Sequence, residues 1–179
     1  MTITRRATLG VVLAGLAAPS FAAGSRVPDL SLPDIDGGEH RTRDWAGRPV
    51  LLVNTASQCG YTPQYAALQA LHETYGPRGL IVMATPSDDF RQELNDAAAV
   101  KEFCDVNYGL TLPMTDIIKV TGPQAHPLYR WLKTDYNFQP RWNFNKVLIG
   151  TDGTVIDTYR SGTKPDDRAI LSLIEGQLA

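Results

Sequence analysis

The chain has 179 residues, 43% of them hydrophobic and 20% charged, and a formal net charge of −2. That length and composition fit one globular domain able to bury a full core without cross-links. The near-neutral balance, with no run of Lys and Arg, argues against electrostatic binding to nucleic acid or to an anionic membrane.

Residues 1 to 23 differ in kind from the rest. Met1 to Arg6 carries only positive charge, Leu9 to Leu16 is apolar or Gly, and Pro19 to Ala23 forms a small-residue exit. This is the layout of an export signal, and the adjacent Arg5 and Arg6 resemble its twin-arginine variant. The apolar stretch is well short of the roughly 20 residues that span a bilayer, which disfavours a retained anchor. Cleavage would remove two arginines and no acid, taking the charge from −2 to −4. The expected organisation is therefore a signal at 1–23 and a domain at 24–179, exported to the periplasm, where disulfides persist.

From Val27 to Gly38 the pattern predicts short alternating strands closed by a Gly turn. Pro49 to Ala56 is a brief apolar, β-branched run that fits a central strand buried on both faces. Thr62 and Pro63 open a helix that continues to Tyr75 and is stopped by Gly76, Pro77 and Gly79. Leu80 to Ala84 reads as a second buried strand, and Asp96 to Tyr108 as a helix with Val100, Phe103 and Cys104 on one side. Leu112 to Ile118 is expected to be a strand or extended piece, and His126 to Lys133 a short helix. Val147 to Ile149 and Val155 to Tyr159 flank Asp152-Gly153, a hairpin signal. Pro165 to Leu178 closes the chain as an amphipathic helix. Alternating strands and helices give parallel pairing through right-handed crossovers, and the hairpin adds an antiparallel pair. The fold class is α/β, with a mixed sheet flanked on both faces by helices, which is the thioredoxin-like arrangement.

Two cysteines dominate the chemistry. Cys59 falls between the end of a central strand and the start of a helix, where unpaired N–H groups and the helix dipole stabilise a thiolate. Gly60 lets a substrate approach the backbone, and strand carboxyl ends are where open α/β sheets build sites. The competing reading is a buried structural Cys. Thr62 stands where a Cys-x-x-Cys motif would place its second thiol, so neighbouring dithiol exchange is not available. A lone nucleophile can instead attack a peroxide and form a sulfenic acid, given donors for the oxygen that takes the charge. Trp142 offers an indole N–H and Asn143 an amide with two hydrogens; alternatively they cap the core and make a turn. His40, His72 and His126 lack metal-ligand spacing, and no metal or cofactor is expected.

The blocks Asn54-Thr-Ala-Ser-Gln-Cys-Gly-Tyr-Thr62, Ala125-His-Pro-Leu-Tyr-Arg-Trp-Leu-Lys133, Trp142-Asn-Phe-Asn-Lys146, Asp152-Gly153 and Thr163-Lys-Pro-Asp166 resemble, in order, the signatures of the glutathione peroxidase family. The resemblance implies a thioredoxin-like enzyme that reduces hydrogen peroxide and organic hydroperoxides in the response to oxidative stress. It makes Cys59 the peroxidatic residue, with Trp142 and Asn143 as its hydrogen-bonding partners. One block departs: Pro86-Ser-Asp-Asp-Phe90 puts Asp89 where the family carries a catalytic Gln. A carboxylate beside Cys59 would disfavour the thiolate, whereas an amide donates to it. Gln92 lies close by and can substitute if the loop shifts. Cys104 matches the position of a resolving cysteine in members reduced by thioredoxin rather than glutathione; an inert core thiol and a permanent disulfide are the other readings. The short link from Thr134 to Arg141, without the loop of tetrameric members, implies a monomer. The rival functions are a weakened thiol sensor or binding module, supported by Asp89, and a disulfide-exchange protein.

Overall fold

The computed structural model describes residues 25–179, so the export-signal reading of residues 1–23 lies outside the described residues. Strands β1 (Ser31–Pro33) and β2 (Glu39–Arg41) pair antiparallel around a turn containing Gly37 and Gly38. A 3-10 turn at Thr42–Trp45 leads into β3 (Val50–Thr55). There follow α1 (Gln64–Tyr75), β4 (Ile81–Pro86), α2 (Ala97–Tyr108), α3 (Pro127–Tyr136), β5 (Lys146–Ile149), β6 (Val155–Tyr159) and α4 (Arg168–Gln177).

Strands β4, β3, β5 and β6 make one sheet in that order. β3 runs parallel to β4, with Val50 opposite Ile81, and antiparallel to β5, with Val50 opposite Ile149. Its two-residue alternation splits the core in two. Leu51 and Val53 point with Val82, Ala84 and Leu148 toward Leu68 and Leu71 of α1, Val100 and Cys104 of α2, and Ile170 and Ile174 of α4. Val50 and Leu52 point the other way with Met83, Val147 and Ile149, against Leu128, Tyr129 and Leu132 of α3. Each fully buried Leu or Val contributes about 1.5–3 kcal/mol. The thioredoxin-like expectation is met.

The helix ends follow their caps. Asp96 accepts the Ala99 N–H at 2.8 Å, and the left-handed Gly109 ends α2. The Nδ1 of His126 accepts the Leu128 N–H, and Pro127 occupies the first position of α3. One expectation needs correction. The last helix starts at Arg168 rather than at Pro165, because Asp167 caps the Ala169 N–H at 2.9 Å. Of the two alternatives for residues 112–118, a full strand is not formed: the segment makes only isolated bridges, from Met114 to Ala84 and from Thr115 to Asp34. Pro113 has no N–H to extend a ladder.

This frame delivers the functional segments to one end of the sheet. β3 runs directly into the 56–63 turns carrying Cys59, its parallel neighbour β4 runs into the 87–93 loop, and the segment entering β5 carries Trp142 and Asn143.

Candidate active site

Thr62 shapes the turn around Cys59. Its hydroxyl donates to the Ala56 carbonyl at 2.8 Å and accepts the Cys59 N–H at 3.0 Å, while its own N–H donates to the Cys59 carbonyl. The fold thus turns the chain back on itself, and the Tyr61 N–H points at Cys59 Sγ from 3.4 Å. The Cys59 residue is only 7% exposed, whereas Tyr61 beside it is 38% exposed.

Asn54, at the end of β3, clamps the opposite wall. Its side-chain amide donates to the Trp142 carbonyl at 3.0 Å and accepts the Asn145 N–H at 3.1 Å. Its backbone carbonyl takes the Phe144 N–H. Phe144 sits at φ 61°, in the left-handed region, and its ring is buried edge-on against Tyr65, 5.3 Å between centroids. That inward Phe leaves Trp142 on the rim, 41% exposed, with its ring 5.5 Å from Phe90. Asn143 beside it is fully buried, and Ser161 donates to its carbonyl at 2.6 Å. Tyr61 and Trp142 face a cavity of about 510 Å3 whose other walls include Arg141, Arg160 and Ser161.

Below this wall Lys146 is buried without a carboxylate partner. Its Nζ donates to Gln64 Oε1 at 2.6 Å and to the carbonyls of Phe144 at 2.8 Å and Thr163 at 2.6 Å. Burial lowers its pKa to about 8.

The glutathione peroxidase family model matches residues 27–133. The chain belongs to the glutathione peroxidase family. It is 38% identical over 158 residues to the hydroperoxy fatty acid reductase gpx1 of a Synechocystis species, covering 82% of this chain and 94% of that one. It is 40% identical over 144 residues to a glutathione peroxidase of Lactococcus lactis, covering 78% and 92%. A glutathione peroxidase-like peroxiredoxin of Schizosaccharomyces pombe is 39% identical over 143 residues, with 77% and 90% covered. Among solved structures, Trgpx in apo form superimposes with a TM-score of 0.68 at 31% identity, covering 86% of this chain and 96% of that one. A putative thiol:disulfide interchange protein DsbE from Chlorobium tepidum shares the fold, with a TM-score of 0.63 at 20% identity, covering 89% and 100%. The chain is accordingly an oxidoreductase of the peroxidase class.

Asp89, which the resemblance puts at the family's Gln position, is held by the segment from Lys119 to Thr121. Its Oδ2 accepts the Val120 and Thr121 N–H groups, each at 2.7 Å, and the Thr121 hydroxyl at 3.1 Å; its Oδ1 faces Lys119 Nζ at 3.2 Å. Burial pushes this carboxyl up, but those donors outweigh it and hold it below its ordinary range. Gln92 reaches the wall instead. Its Oε1 accepts the Asn143 amide at 3.0 Å, and its carbonyl accepts the Gln58 N–H at 2.8 Å. Between Asp89 and Gln92 the chain turns at Arg91, whose φ of 57° is left-handed, a conformation costing a non-Gly residue about 1–2 kcal/mol.

Glu93 went unremarked in the sequence, yet it is buried against the Cys59 turn. Its Oε1 accepts the N–H groups of Ser57 and Leu94, each at 2.9 Å, while its Oε2 is buried without a partner. Burial raises its pKa. Asn54 and Ser161 were likewise not singled out, since lone polar residues near strand ends carry no local signal of the turn they hold.

Cys104 lies in α2, fully buried in the same core cluster as Cys59, and both thiols are free. Burial, with Glu93 and Asp105 nearby, pushes the Cys104 thiol up to about 12. Tyr65 packs in this cluster too, its hydroxyl against Thr55 and Cys104.

Proposed function

We propose that this peroxidase reduces hydroperoxides through Cys59 and is regenerated by an external thiol after Cys104 closes the cycle. The observation that carries the reading is the Tyr61 N–H aimed at Cys59 Sγ in a turn that abuts the Trp142-Asn143 wall through Gln92. The Cys59 thiolate attacks the terminal peroxide oxygen. An S–O bond forms, the O–O bond breaks, and the departing alkoxide or hydroxide takes up a proton to leave as alcohol or water. Trp142 and the amides of Asn143 and Gln92 supply hydrogens to the oxygens as charge moves onto them. Hydrogen peroxide and organic hydroperoxides are the substrates, and the relative named as a hydroperoxy fatty acid reductase supports an organic one.

Cys104 then attacks the Cys59 sulfenic acid. A disulfide forms and water leaves, and a thioredoxin-like protein or glutathione returns both thiols. Because Cys104 is a buried thiol within a helix, α2 must open locally before the sulfurs meet. The relatives named as peroxiredoxins support a thiol-protein reductant. The enzyme acts as a monomer and reaches the periplasm through the twin-arginine-like segment at its N-terminus.

The test is peroxide consumption with a thioredoxin system, coupled to mass spectrometry after one equivalent of peroxide. Cys59→Ser should abolish turnover, and Cys104→Ser should keep one turnover while stopping the cycle. Peroxide consumption retained in Cys59→Ser would end this reading.

A further inference from the structure

The 87–93 loop is fastened at both ends, and the fastenings explain why an acid at position 89 suits this enzyme. At the outer end Asp89 takes three hydrogen bonds from Val120 and Thr121 and pairs with Lys119. The Asp89 side chain is 7% exposed, so its bonds from Val120 and Thr121 are shielded, whereas Lys119 is 56% exposed and its ion pair is screened by solvent. At the inner end the Gln92 carbonyl takes the Gln58 N–H, and Glu93 takes the Ser57 N–H, one and two residues before Cys59. Between the two anchors the chain closes a turn, with the Arg91 N–H donating to the Asp88 carbonyl at 3.0 Å, and Arg91 enters the left-handed region. An arginine adopts that conformation only where its surroundings impose it.

We infer that Asp89 is a positioning residue: by clamping the loop onto residues 119–121 it turns the chain at Arg91 and holds the Gln92 amide on Asn143, beside the peroxidatic turn. This rests on the reading of Cys59 and Asn143 given above. A carboxylate fits the task because one oxygen accepts two backbone N–H groups and a hydroxyl while the other meets an ammonium. A glutamine at 89 carries no charge for Lys119 and is a methylene longer, so it would loosen the clamp. Asn143 donates to Gln92 Oε1, which leaves the Gln92 NH2 hydrogens for the oxygens of the peroxide.

The experiment is the second-order rate of Cys59 oxidation by hydrogen peroxide in a single turnover, followed by mass spectrometry on the reduced full chain. The variants are Asp89→Ala, Asp89→Asn, Asp89→Gln, Gln92→Ala and the Asp89→Ala/Gln92→Ala double variant, each checked for a native thermal transition. Asp89→Ala and Gln92→Ala should each slow oxidation about 100- to 1,000-fold, the scale expected for losing one oriented donor. The double variant should be no slower than Gln92→Ala, because the two act through one amide. Asp89→Asn, which keeps a carbonyl oxygen for the backbone donors, should recover most of the rate. Multiplying effects in the double variant, a wild-type rate in Asp89→Ala, or a faster Asp89→Gln would each overturn the inference while leaving Cys59 in place. Absence of any Cys59 oxidation in the wild type would instead remove the reading beneath it.

Discussion

Replacing Asn54 by Ala tests whether the clamp from β3 holds the Trp142-Asn143 wall. The Asn54 side chain is buried and satisfies two backbone groups, the Trp142 carbonyl at 3.0 Å and the Asn145 N–H at 3.1 Å. Leaving a buried polar group unpaired costs about 1–3 kcal/mol, so two lost partners give about 2–6 kcal/mol. Trp142 lies partly in solvent, and water entering there offsets part of the loss, which puts the expectation at about 2–4 kcal/mol. With a urea m-value of about 2 kcal/mol/M, the midpoint should fall by about 1–2 M with the slope unchanged. The turn that keeps Phe144 at its left-handed φ would slacken, and a displacement near 1 Å at Trp142 and Asn143 should slow peroxide attack about 100-fold. Urea denaturation and stopped-flow oxidation of the same sample give both numbers. A midpoint shift below about 0.3 M would refute the clamp. A large shift with an unchanged oxidation rate would refute its link to the reacting atoms.

Two further outcomes follow from buried ionisable groups. Burial raises the Glu93 pKa above its ordinary 4.5, so the folded state holds that proton more tightly than the unfolded chain does. Its contribution to stability is complete below 4.5 and is lost as pH rises through the folded value. Glu93→Gln, which keeps an oxygen for Ser57 and Leu94, should therefore gain stability over the wild type in denaturation at pH 8 and lose that advantage at pH 4; equal differences at both pH values would contradict it. For Cys104, a thiol held up to about 12 in a closed core should react with iodoacetamide at pH 8 about 100-fold more slowly than Cys59. Its rate should climb in sub-denaturing urea, and equal labelling of both cysteines in native buffer would count against the buried placement.

The parts of this molecule legible in sequence were those with a local signature. The run from Pro49 to Ala56 announced a strand buried on both faces, and the helix from Asp96 to Tyr108 showed in the spacing of its apolar residues. The start of α4 was misplaced because Pro165 and Asp167 are both start signals, and only the actual hydrogen bond chooses between them. Around Cys59 the motif named the sulfur and the Trp142-Asn143 segment, but not what secures them. Asp89 reaches donors 31 and 32 residues away, Glu93 reaches Ser57 across 36, and Asn54 reaches Trp142 across 88. Contacts of that separation leave no trace in spacing or periodicity. Which residue of a loop faces inward is likewise set by the fold, and here Gln92 rather than Asp89 meets Asn143.

Lys146 gives the molecule a natural reporter. In the closed protein its amine is sealed from reagents and tied to oxygens from the segment entering β5, from α1 and from the loop before α4. Any excursion that parts these three pieces exposes a primary amine that was previously silent. The pace at which an acylating reagent marks this one lysine would count how often the wall beneath Trp142 comes undone, and comparing reduced with oxidised enzyme would tell whether the catalytic cycle itself makes it do so.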